Sequence, residues 1–71
     1  MDYSKKYITS VLQDQLAQDR LYVLTAIIDN IEIMHVTITE LVKIIELRKG
    51  MINLRKLTYF MEANYYYLSF S

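Results

Sequence analysis

His35 is the only histidine in the chain, and cysteine is absent. Thiolate chemistry, disulfides and the usual structural zinc sites are therefore excluded. A hydroxyl nucleophile would need His35 as its base, yet no serine stands in a glycine-flanked strand-to-helix elbow. Asp29 and Glu32 are three apart and can share a helix face, but two carboxylates on a solvated flank make a poor cation site. Gly50 is the only glycine, so no glycine-rich loop can cradle a phosphate. This inventory names no catalytic, cofactor-binding or metal-ligating residue. The expectation is a protein that is not an enzyme, with His35 an ordinary residue of a strand or helix end.

The stretch LVKIIELRKGMINLRKLTYF, residues 41–60, carries five of the eight basic residues and Glu46 as its acid. Two helices joined by a short glycine-containing turn have the dimensions of a helix-turn-helix, whose second helix enters the major groove at its N-terminal end. Asn53 can cap that second helix, which places Arg55 and Lys56 in its first turn. Cations there oppose the helix dipole by about 0.3–1 kcal/mol each, a cost that DNA phosphates or base edges would offset. Tyr59, one turn on, would touch the sugar–phosphate backbone, and Lys43, Arg48 and Lys49 would be outer phosphate contacts. The helix pair followed by an aromatic segment resembles an abbreviated winged helix in outline, though the ending leaves no room for a two-stranded wing.

The same residues fit a plainer reading. Arg48 and Lys49 suit the negative end of a helix dipole, Arg55 and Lys56 keep an apolar helix soluble, and Tyr59 covers the core edge. The overall balance is eight cations against eight anions. It splits as −2 over residues 1–37 and +2 over 38–71, a mild polarity for gripping phosphates unless a dimer doubles it.

A second function class rests on apolar excess. Apolar and aromatic residues make up 54% of 71 residues while 23% are charged, which argues against disorder and exceeds the need of one small core. Leu41, Val42, Ile44, Ile45 and Leu47 cover a wider arc than one packing face requires. Tyr65, Tyr66 and Tyr67 cluster a residue type that interfaces favour. A protein-binding adaptor, an inhibitor or a structural homodimer is the alternative, with Tyr65–Phe70 as the contact segment.

The elements that must position these residues follow from spacing. Tyr7, Ile8, Val11, Leu12 and Leu16 predict a helix over about 4–18, capped by Ser4. Ala17, Leu21, Leu24, Ile28 and Ile31 form a second helical stripe out of phase with the first. Residues 4–34 therefore read either as one helix that changes its buried face or as two, broken near Gln18–Arg20 with Asp19 as the new cap. Ile33 to Ile38 is rich in β-branched residues and reads as a short strand or a continuation of the helix. Thr37 and Glu40 have capping-box spacing, with Val36 and Leu41 as a hydrophobic staple, so a helix begins at 38 and ends near Lys49 before Gly50. Leu54, Leu57 and Met61 predict the last helix. Tyr66, Leu68 and Phe70 alternate with Tyr65, Tyr67 and Ser69, so this segment reads as a strand paired with the one near Val36 or as a frayed helix end.

The expectation is one mainly α domain over 1–71, a small helical bundle with a helix-turn-helix-like C-terminal pair and short β segments near 33–38 and 65–70. Its core would comprise Val11, Leu12, Leu21, Leu24, Ile28, Ile31, Leu41, Ile45, Leu54, Leu57 and Met61. It would act as a cytoplasmic homodimer on double-stranded DNA, without a cofactor. No apolar run approaches the length of a membrane span.

Overall fold

The computed structural model describes residues 2–16, 23–68 and 70. In chain order these form β1 (Asp2–Tyr3), α1 (Lys5–Leu16), β2 (Val23–Ile28), β3 (Ile31–Val36), α2 (Ile38–Glu46), β4 (Ile52–Met61) and β5 (Asn64–Tyr67). The strands make one five-stranded antiparallel sheet, and the two helices are not consecutive in the chain. The fold is mixed α/β, which overturns the expected helical bundle.

The longest strand organises the sheet. β2 pairs along one edge of β4, and β3 lies outside β2. The other edge of β4 is shared: β1 pairs with Ile52 and Asn53, and β5 with residues 58–61. β3 and β5 thus lie at opposite edges and do not pair with each other, contrary to the pairing expected between 33–38 and 65–70. Both segments are nevertheless strands, at slightly shifted bounds.

The helix-turn-helix is replaced by helix, loop and strand. Asn53 caps no helix but sits in β4, where its backbone N–H donates to Asp29 Oδ1 at 2.9 Å and its side chain to Asp2 Oδ1 at 3.0 Å. A β-bulge explains the misleading spacing. Ile28 opposes Leu54 but Ile27 opposes Lys56, leaving Arg55 as the extra residue. The phase of inward side chains therefore shifts, and Ile52, Leu54 and Leu57 are all buried. The three-residue step from Leu54 to Leu57 is a helical interval produced by a strand. β3 repeats the effect: Leu24 opposes Val36 and Ala26 opposes Ile33, so Ile33 and Val36 both pack on the core across a bulge at Met34–His35.

Other expectations hold. The α1 cap is Ser4, whose hydroxyl accepts the Tyr7 N–H at 3.1 Å. At α2 the capping box is present: the Thr37 hydroxyl accepts the Glu40 N–H at 3.2 Å, and Glu40 Oε1 accepts the Thr37 N–H at 3.0 Å. This helix stops at Glu46 with Leu47 as its C-cap, earlier than expected, and Gly50 takes its left-handed φ of 75° in the loop beyond.

α1 and α2 cover one face of the sheet with Ile8, Leu12, Leu16, Leu41 and Ile45. From the sheet, Leu24, Ala26, Ile28, Ile52, Leu54 and Leu57 meet them. Ile8, Leu16, Ala26 and Ile52 were not foreseen in the core. Val11 and Met61 are only partly buried and Ile31 is 50% exposed. Ala17, Leu21 and the expected break at residues 18–20 lie outside the described residues.

Candidate functional site

The six residues expected to bind DNA do not form one surface. Lys43 is exposed on α2, and Lys49 is exposed beside Gly50 in the loop that follows. Arg48 is committed elsewhere: its Nε donates to Asp29 Oδ2 at 2.6 Å, and its carbonyl accepts Lys5 Nζ. Arg55 occupies the bulge and donates from Nη1 to Asn30 Oδ1 at 3.3 Å. Lys56 opposes Ile27 and projects from the face away from the helices. Tyr59 opposes buried Leu24 on the helix side, where its ring stacks on Tyr66 at 5.1 Å. Lys56 and Tyr59 are three apart in an extended strand and so lie on opposite faces. With no recognition helix at residues 54–61 and with the six side chains spread over two faces and a loop, the described residues do not form the expected DNA-reading unit.

Asp29 has a structural role. With Asn30 it forms the two-residue turn between β2 and β3, and both have positive φ, 50° and 65°. That is the pattern of a type I′ hairpin turn, which Asp and Asn tolerate well. Its carboxylate accepts the Asn53 amide and the Arg48 guanidinium. These two bonds, in that order, hold the Asp29 pKa below the usual carboxylate range against a smaller opposing effect of burial. Glu40 is likewise lowered, first by the Thr37 backbone N–H and then by its hydroxyl.

The feature left without a structural partner among the described elements is the second face of the sheet. The register builds it in rows. Glu32, Ile27 and Lys56 lie side by side across β3, β2 and β4. The next row is Thr25, Thr58 and Tyr67, bordered by the Met34–His35 bulge, and beyond it come Val23, Phe60 and Tyr65. An antiparallel sheet covered on one side ordinarily alternates apolar in and polar out. Here Val23, Ile27, Met34, Phe60, Tyr65 and Tyr67 face out. Tyr65 is 68% exposed, Tyr67 76% and Met34 52%.

Thr58 forms a buried floor to this face, and Phe60, Tyr65 and Tyr67 flank it. Thr58 is only 5% exposed, with its hydroxyl donating to the Thr25 carbonyl at 3.4 Å. Phe60 and Tyr65 pack with ring centroids 5.2 Å apart. Two shallow hollows of about 300 and 360 Å³ lie over Thr25, both bounded by His35 and Tyr65, and the larger also reaches Glu32 and Lys56. The tyrosines are plain in the sequence, but this face is not. The available signals were the β-branched alternation of Val23, Thr25 and Ile27 and the two-residue Asp29–Asn30 turn between apolar runs.

Among the described residues, no group of three or more His, Asp or Glu side chains is placed to hold a metal ion, and no helix is long and apolar enough to cross a membrane. The chain matches no protein-family profile, no curated protein and no solved structure.

Proposed function

We propose that this chain is a non-catalytic protein-binding module that engages its partner through the open face of the sheet. One observation carries the reading: an outward surface on which Val23, Ile27, Phe60, Tyr65 and Tyr67 surround a central Thr25–Thr58 pair, with no helix over it among the described residues. Contiguous apolar patches on small proteins mark interaction sites more often than scattered exposed residues do. Exposed tyrosines combine a rigid apolar ring with a hydroxyl that can hydrogen-bond, which suits them to such contacts. The Thr58 hydroxyl already donates to the Thr25 carbonyl, so covering the face does not strand that group.

The test places a photoreactive benzoylphenylalanine at position 67 in the full chain, expressed in living cells. Illumination is expected to yield an adduct with a polypeptide, and Phe60→Asp should abolish it while circular dichroism stays unchanged. If a folded protein gives no polypeptide adduct, or gives one that is indifferent to Phe60→Asp, the proposed role of this face is wrong.

A further inference from the structure

We infer that the partner of the open face is a second copy of this chain, packed sheet to sheet about a two-fold axis running along β2. The inference rests on the protein-binding reading above and adds the identity and register of the occupant. Its basis is the row Glu32–Ile27–Lys56, which sets one acid and one base on either side of an apolar residue on three adjacent strands. A two-fold axis over the middle strand places β3 of each copy above β4 of the other. Glu32 then faces Lys56 of the second copy, Lys56 faces its Glu32, and Ile27 meets Ile27. A two-fold interface requires self-complementarity of this kind, each residue finding its complement on the same patch of the other subunit.

Neither charge has an ion-pair partner among the described residues, since the ion pair found there joins Arg48 and Asp29. Sheets pack face to face about 10 Å apart, within the combined reach of a glutamate and a lysine. The outer tyrosines complete the rim: Tyr67 lies one strand beyond Thr58 and comes alongside Met34 of the second copy, an aromatic–thioether contact.

The area suits a weak dimer. An axis along β2 overlaps three strand positions, β3, β2 and β4, which at ~4.8 Å spacing and about six residues of ~3.3 Å each give a face of roughly 14 by 20 Å. Two such faces with their side-chain relief remove on the order of 700 Å² from water, the range of a weak, transient interface. Edge-to-edge pairing competes poorly at β3, because the bulge at His35, with φ of 59°, interrupts its outer ladder.

The experiment is sedimentation of the full chain over a concentration series, with the charge reversals Glu32→Lys and Lys56→Glu. Wild type is expected to dimerise in the micromolar range. Each reversal sets two like-charge contacts across the interface and should weaken the dimer by about tenfold or more. An equimolar mixture of the two variants should dimerise again, because E32K facing K56E restores both attractive pairs. An arrangement within one subunit cannot produce that rescue. If either single variant fails to fold, the double exchange E32K/K56E decides, being expected to dimerise as tightly as wild type. A wild-type monomer at all concentrations up to about 100 μM, or reversals whose mixture shows no rescue, overturns the self-pairing. A polypeptide adduct at position 67 from a monomeric wild type would remove the second copy and leave the protein-binding face standing. Failure of both experiments removes both.

Discussion

Asp29 and Arg48, nineteen positions apart, form an ion pair of 2.6 Å that joins the β2–β3 turn to the loop after α2. The Asn53 amide donates to the other oxygen of the same carboxylate, so one side chain ties the hairpin, the helix exit and the central strand together. Arg48, expected to contact phosphate, is instead neutralised at the end of the sheet.

This arrangement fixes the sign of a pH dependence. Because Asp29 has a lowered pKa in the folded state, the unfolded chain binds more protons over the interval between the two values, and stability rises with pH there. The contribution is fully present above the ordinary aspartate pKa, about 4, and is lost as pH falls through the folded value. Asp29→Asn should lower stability at neutral pH and flatten this part of the acid limb. Glu40, lowered as well, should leave a residual slope. Urea denaturation of wild type and variant from about pH 2 to about pH 6 checks this; an acid limb of unchanged slope in the variant would exclude Asp29 as its source.

The capping box at α2 gives a local measure. Thr37→Ala removes the acceptor for the Glu40 N–H and should destabilise by about 1 kcal/mol, whereas Thr37→Ser should be close to neutral. Thermal unfolding of the two variants side by side would show the difference.

The β4–β5 turn holds a reserve of stability. Glu62 and Ala63 have φ of 53° and 64°, a left-handed pair that non-glycine side chains resist. Ala63→Gly should stabilise by up to about 1 kcal/mol, the relief of the side-chain clash exceeding the added freedom of the unfolded chain. A lower denaturation midpoint for this variant would contradict the assigned turn geometry.

Core and face should separate cleanly in a stability assay at low concentration. Ile45 is fully buried, so Ile45→Ala should cost about 2–5 kcal/mol. Tyr67 is 76% exposed, and Tyr67→Ser should stay within about 0.5 kcal/mol of wild type while disturbing association. A Tyr67→Ser variant that melts like a core variant would make the tyrosine part of the monomer's fold.

Local chemistry was legible in the sequence, and long-range pairing was not. Ser4 and the Thr37–Glu40 box announce their helices because capping uses side chains within a few residues. β2 carries a helical spacing because Leu24 and Ile28, four apart, lie on one face of a helix or of a strand alike. In β4 the bulge at Arg55 turned a two-residue period into a three-residue step, and Asn53 looked like a cap because the Asp29 that binds its amide lies 24 positions away. The tyrosines were visible as interface material, but their face exists only once β5 folds back along β4.

The position of β4 also governs when the protein can form during its synthesis. This strand is the shared neighbour of β1, β2 and β5, yet it begins at Ile52. Until it has emerged from the ribosome, the opening residues have no ladder to join, and the β2–β3 hairpin presents an open inner edge to the cell. The nascent chain therefore passes through an interval in which apolar strands await their centre, the condition under which chaperone capture or misassociation is most favoured.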